Sequence, residues 1–225
     1  MSQGSIHREK TSMRTRLMVI ARHQLLREAL ASLIQEQGGQ ELVAQAGDGQ
    51  EAVRLAVRLR PEVVLMDMEL PGLNCVDTTQ RIVAASPSTR VLCLADEEPP
   101  HRMRAALDAG ASGILAKDSG VDELVRAIGA LGRRQFYLSP SLTEAAVIAC
   151  AHPATAPSAF VRLTPKEREI VQLLAEGLST KHIAAQLGVS QKTVASHREH
   201  AVHKLGLRGV ADITRYAIRE GLARP

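Results

Sequence analysis

The chain has 225 residues, of which 45% are hydrophobic, enough for two domains with a core each. Aromatic residues make up only 2%, so those cores must be built from Leu, Val, Ile and Ala. The formal net charge is +4, no apolar run is long enough to span a membrane, and nothing reads as a signal peptide, which points away from membrane and secreted classes. Cys75, Cys93 and Cys150 show neither metal-ligand nor disulfide spacing and are expected as buried, inert thiols in a reducing cytoplasm.

In chain order, residues 1–15 are polar, mixed in charge and read as a mobile tail. Between 16 and 134, strand and helix patterns alternate. The short apolar runs are LMVIA from Leu17, ELVAQA from Glu41, EVVLMD from Glu62, RVLCLA from Arg90 and SGILA from Ser112. Helical spacing joins Leu26, Ala29, Leu30 and Leu33. Further helices are predicted near Gln50–Leu59, Asn74–Ala84, Pro100–Ala109 and Val121–Leu131. Five strands interleaved with five helices predict an α/β doubly wound, five-stranded parallel sheet. The functional crevice of such a sheet lies beyond the carboxyl ends of its strands. Asp67 sits there, directly after Val63 to Met66, and Lys117 follows the fifth strand. A carboxylate at the end of a buried strand is a nucleophile, a metal ligand or a strand-end cap, and position alone leaves all three open.

Residues 135–161 read as a linker with a short helix, Leu142 to Ala149. His152 to Ser158 (HPATAPS) is too rich in proline and small residues to be a core element. A compact all-α region then occupies 162–225. Thr164, Pro165 and Glu167 form a capping box with proline at the first helical position. Ile170, Val171, Leu173 and Leu174 supply an apolar stripe, and Gly177 ends that helix. A second helix starts near Ser179, buries Ile183, Ala184 and Leu187, and stops at Gly188. Ser190 caps a third. Two compact helices joined by a short turn with glycine make a helix-turn-helix signature.

At about 100° per residue, Val194, Ala201, Val202 and Leu205 share the core face of the third helix. Lys192, Ser196, Glu199 and His203 lie opposite, flanked by Thr193, Ala195 and His200. Such a polar face is either solvated or presented to base edges and phosphates. Charge favours the second reading. Residues 160–225 hold 11 Lys+Arg against 6 Asp+Glu, whereas residues 1–159 hold 17 against 18. Positive charge is thus concentrated where phosphate contact would need it.

On these motifs, residues 163–206 (LTPKEREIVQLLAEGLS, IAAQL, KTVASH…KLG) resemble the DNA-binding domain of LuxR-type regulators of the NarL/FixJ subgroup. The resemblance implies a fourth helix over Val210 to Gly221 with a dimer contact, and hence a homodimer on double-stranded DNA. It implies that Ala195, Ser196 and Glu199 face bases, while Lys192, Thr193 and His197 contact backbone or steady docking. Ala195 and Glu199 depart from the common pattern: a glutamate accepts from cytosine N4 but repels phosphate. His197, His200 and His203 fall within about a third of the helix circumference. A metal reading is weaker there than groove-facing or solvated histidines.

Residues 16–134 are similar to the receiver domains of two-component response regulators, through VVLMDMELPG and AGASGILAKD. The resemblance aligns Asp67 with the phosphoacceptor and Lys117 with the lysine that pairs with the phosphoryl group. Four positions depart from it. Ala21 and Arg22 replace the acidic pair that holds Mg²⁺, Ala95 replaces the switch Thr or Ser, and Ile114 replaces an aromatic residue. Mg²⁺ prefers six oxygen ligands, so it is expected as a cofactor only if Asp67 is phosphorylated. Arg22 either pairs with Asp67 in the cation's place or points to solvent. The run Asp96, Glu97, Glu98 is expected as a solvated loop.

The expected function is a DNA-binding regulator that is phosphorylated weakly or not at all. One alternative is a conventional regulator phosphorylated on Asp67 by a histidine kinase. Another is a receiver crevice (Ala21, Arg22, Asp67, Ala95, Lys117) that senses a ligand or partner protein. No nucleophile–base constellation, metal-ligand spacing or phosphate loop supports an enzyme.

Overall fold

The computed structural model describes residues 14–96, 99–151 and 162–223, with the backbone alone at 149–151. The expectations for the N-terminal tail to residue 13, for Glu97 and Glu98, and for HPATAPS lie outside the described residues.

In the first domain, strands and helices alternate as β1 (Thr15–Ile20), α1 (Gln24–Gln37), β2 (Gln40–Ala46), α2 (Gly49–Leu59), β3 (Val63–Asp67), α3 (Cys75–Ala85), β4 (Arg90–Ala95), α4 (Pro100–Asp108), β5 (Gly113–Ala116) and α5 (Val121–Gly132). The sheet is parallel, in the order β2-β1-β3-β4-β5-β6, with β6 at Tyr137–Leu138. Its inner strands are apolar and buried along their length because helices cover both faces. Successive side chains alternate between the faces. Met18, Ile20, Val64, Met66 and Cys93 therefore join one core, and Leu17, Val19, Leu65, Leu92 and Leu94 the other. In α1 the buried residues are Leu30, Ala31 and Ile34, while Ala29, predicted on the apolar stripe, is exposed. Asp48 and Asn74 cap α2 and α3 through the backbone N–H groups of Glu51 and Asp77, each cap contributing about 1 kcal/mol.

The sheet has a sixth strand that the sequence pattern did not predict. β6 (Tyr137–Leu138) lies in the segment read as linker and pairs with β5 at Gly113 and Ile114. Gly113 makes this approach sterically feasible, since a Cβ there would sit 2.5 Å from the Tyr137 carbonyl oxygen. A 3₁₀ turn (Pro140–Leu142) leads into α6 (Thr143–Ala151), close to the predicted short helix.

The second domain comprises α7 (Pro165–Ala175), α8 (Thr180–Leu187), α9 (Gln191–Leu205) and α10 (Val210–Arg219). The predicted capping box is present: the Thr164 hydroxyl accepts from the Glu167 N–H, and the Glu167 carboxylate accepts from the Thr164 N–H. Lys204 at the end of α9 donates to the same carboxylate at 2.7 and 2.9 Å. Burial works to raise the Glu167 pKa, but Lys204 and Thr164 hold it below its ordinary value. Ile170, Val171, Leu173 and Leu174 form the core with Ile183, Val194, Ala201, Ile213 and Ala217. Gly188, in the left-handed region at φ 63°, turns the chain from α8 into α9.

Candidate functional site

The carboxyl ends of β1, β3, β4 and β5 converge on Asp67. Its side chain is almost fully buried. Oδ1 lies 2.8 Å from Lys117 Nζ and accepts the Glu69 N–H at 3.0 Å. Oδ2 is buried with no hydrogen-bond partner. Burial raises the Asp67 pKa above its ordinary value, more than Lys117 lowers it. Lys117 is placed by the hydrogen bond from its N–H to the Ala95 carbonyl, and its ammonium also reaches Asp96 at 2.9 Å. Burial works to lower the Lys117 pKa, but the bonds and charges of Asp67 and Asp96 carry it above its ordinary value. Asp96, expected in a solvated loop, is therefore part of this site.

Ala21 and Ala95 are fully buried and present only methyl groups. Arg22 is exposed and forms no ion pair with Asp67, whose cation partner is Lys117. Of the two arrangements open for Arg22, pairing with Asp67 is thus not adopted. These residues offer a divalent cation few oxygens. Asp67 is the one carboxylate at the end of β3, one of its oxygens is engaged by Lys117, and the neighbouring Asp96 is held by the same ammonium. Among the described residues no group of three His, Cys, Asp or Glu side chains is placed to hold a metal.

On α9, Lys192, Ser196, Glu199, His200 and His203 are exposed, and Thr193, Ala195 and His197 are half-buried. Val194, Ala201 and Leu205 are buried, as the helical angle predicts, and Val202 is packed at the edge of the core. Ser190 caps the helix by accepting the Thr193 N–H at 3.0 Å. The Thr193 hydroxyl lies 2.8 Å from the Ser190 hydroxyl, so it serves the cap as well as the predicted face. This face is presented along about three turns of helix.

The polar side of α7 has a role that hydropathy does not reveal: it docks on the first domain. Arg168 donates from Nε to Asp77 Oδ2 at 2.9 Å and from Nη2 to Asp77 Oδ1 at 2.6 Å, with both side chains buried. Asn74 Nδ2 donates to the same carboxylate at 2.7 Å. Gln172 donates to the Leu70 carbonyl, the Gly72 N–H donates to Glu176, and Arg81 pairs with Glu169. Leu70 and Gly72 lie in the loop that follows Asp67. The junction therefore begins three residues from the buried carboxylate.

Residues 17–129 match the family model for the response regulator receiver domain, and residues 161–217 that for bacterial regulatory proteins of the luxR family. The transcriptional regulatory protein LnrK of Bacillus subtilis is 32% identical over 207 residues, which span 88% of this chain and 94% of LnrK. Response regulator GacA of Pseudomonas aeruginosa is 29% identical over 210 residues, spanning 92% and 97%. Among solved structures, response regulator ChrA of a heme-sensing two-component system aligns with a TM-score of 0.52 at 29% identity, covering 93% of this chain and 98% of that one. RcsB from Salmonella enterica serovar Typhimurium, bound to promoter rprA, aligns with a TM-score of 0.60 over 90% and 98%. At 22% identity it shares the fold.

Proposed function

The chain belongs to the DNA-binding response regulators of the NarL/FixJ type, a receiver domain followed by a LuxR-family helix-turn-helix, and from that premise we propose that its receiver works with little or no phosphorylation. The observation that carries this reading is the Lys117 ammonium lodged between Asp67 and Asp96, with Ala21 and Ala95 supplying no oxygen. Phosphoryl transfer depends on neutralising and positioning charge. Here the cation present is committed to two carboxylates, and the residues that would recruit another are replaced. The proposed receiver is a docking and dimerisation module. The protein binds double-stranded DNA as a homodimer, with α9 in the major groove: Ala195, Ser196 and Glu199 read bases, and Lys192, Thr193, His197, His200 and His203 lie along the contact. This is a binding function of a cytoplasmic regulator and not catalysis. Among the described residues, no helix is long and apolar enough to cross a membrane.

Intact mass after incubation with a small phosphodonor and Mg²⁺ tests the receiver reading, with Asp67→Asn as control. No adduct is expected, and acidic residues at positions 21 and 22 should create one. A phosphoryl adduct on the native chain, absent from the control, would overturn it in favour of a second reading, a kinase-driven phosphoacceptor. That reading is favoured by the intact Asp67–Lys117 pair and the unpartnered Oδ2. DNA binding by the full chain should weaken steeply with salt, and Lys192→Ala should lower the log–log slope by about 1. Binding independent of salt would refute the α9 assignment.

A further inference from the structure

Between the two domains lies a cavity of about 720 Å³, lined from the receiver by Arg22, Leu70 and Arg102 and from the helical domain by Leu178, Arg219 and Leu222. We propose that it binds a small organic anion, a carboxylate or phosphate carried on a short apolar body. This goes beyond the DNA-binding reading and does not depend on it.

Volume and location come first. The cavity falls within the range of small-molecule sites, which favour domain boundaries. Its walls are held in place by neighbouring contacts: the buried Arg168–Asp77 pair, the Gln172 bond to the Leu70 carbonyl at 2.9 Å and the Gly72 bond to Glu176 at 3.0 Å. A cleft braced on both sides is preorganised, so a ligand bears little of the cost of shaping it.

Charge then selects the ligand. Three guanidiniums line the cavity, against the carboxylates of Glu69 and Glu176. Glu176 is engaged by the Gly72 N–H and by Gln172. Arg102 is fixed by a bond from Nη2 to the Met68 carbonyl at 3.1 Å and packs against Gly221, where any side chain would collide with it. Arg219 lies over the Tyr216 ring and 3.5 Å from Glu220. Arg22 has no ion pair or side-chain hydrogen bond among the described residues and acts on Glu176 only at a distance. The residue that fails to serve a cation at Asp67 thus presents an uncommitted guanidinium to the cleft. A guanidinium fork matches a carboxylate or phosphate, and Pro99, Leu178 and Ile218 offer an apolar surface for the body behind it.

Calorimetric titration of the full chain at low salt with benzoate, phenyl phosphate and inorganic phosphate tests the proposal. Saturable binding of benzoate or phenyl phosphate is expected, and which one binds identifies the head group. Inorganic phosphate should bind at least tenfold more weakly, because it lacks the apolar body. Arg22→Gln and Arg219→Gln, both at exposed positions, should each weaken binding about tenfold, and Asp67→Asn should leave it unchanged. Absence of saturable binding with all three probes would overturn the proposal. So would binding indifferent to both arginines, or binding strengthened in Asp67→Asn, which would place the anion at Lys117.

Discussion

Replacing Arg168 with Met should separate the two domains without unfolding either. The substitution keeps an unbranched side chain of similar reach. It deletes the two donors to Asp77 and the Nη1 bond to the Leu163 carbonyl at 3.1 Å. Both partners are buried, with side-chain exposures of 5% and 1%, so Asp77 would be left as a buried carboxylate with Asn74 as its remaining side-chain donor. Stranding a buried charge in this way costs about 3–5 kcal/mol. Three other bonds across the junction are each weaker. The Gln172–Leu70 bond contributes about 0.5–1.5 kcal/mol, the charge-assisted Gly72–Glu176 bond about 1.5–3, and the half-exposed Arg81–Glu169 pair less than about 1. The penalty is therefore comparable to those three bonds together, and undocking, which lets water reach Asp77, relieves it. Calorimetric unfolding should change from one cooperative transition to two, and small-angle scattering should show a larger radius of gyration. Asp77→Asn added to Arg168→Met should recover part of the loss, because the stranded charge is gone. A variant that keeps a single transition and loses less than about 1 kcal/mol would refute the reasoning.

Two further outcomes follow from the receiver. The raised pKa of Asp67 means that its ionisation opposes folding: the benefit is complete below the ordinary carboxylate value of 3.8 and is lost as pH rises through the raised folded value. Asp67→Asn should thus be at least as stable as the native chain at pH 7, with Lys117 still paired to Asp96, and the difference should shrink toward pH 4 in denaturant titrations; a variant much less stable at pH 7 would contradict this. Gly113→Ala should cost about 1–3 kcal/mol by forcing β6 away from β5. Thermal unfolding, together with faster hydrogen exchange at the Tyr137 and Ser139 N–H groups, would register it.

The strands were legible because their apolar runs are continuous, and Asp67 and Lys117 were located by the strands that precede them. The caps at Thr164 and Ser190 and the core angle of α9 were equally legible, since each depends on local spacing. What escaped depends on tertiary contact. Two residues, Tyr137 and Leu138, are too few to show a strand period. The helical rule that marked Ala29 as buried cannot tell which flank of a stripe a sheet will cover, and Ala31 and Ile34 take that place. Arg168, Glu169 and Gln172 drew no expectation and Glu167 only that of a capping residue, yet all are buried, because their partners lie some 90 to 120 residues away or on the far end of α9. Arg22 follows β1, and it lines a cleft formed by residues of both domains, which no local spacing reveals.

The two-residue strand at the sheet's border also governs how this molecule meets copies of itself. An open strand border is a template on which another chain can add, the usual first step of swapping and fibril growth. Here the Ser112 and Ile114 carbonyls accept the Tyr137 and Ser139 N–H groups. Beyond Ser139 the backbone enters the 3₁₀ turn at Pro140, which has no N–H to offer. The exposed border is thereby reduced to a length that cannot nucleate intermolecular strand pairing on this side. At this border, self-association is thereby left to helices and side chains, which are sequence-selective, and not to promiscuous backbone bonding.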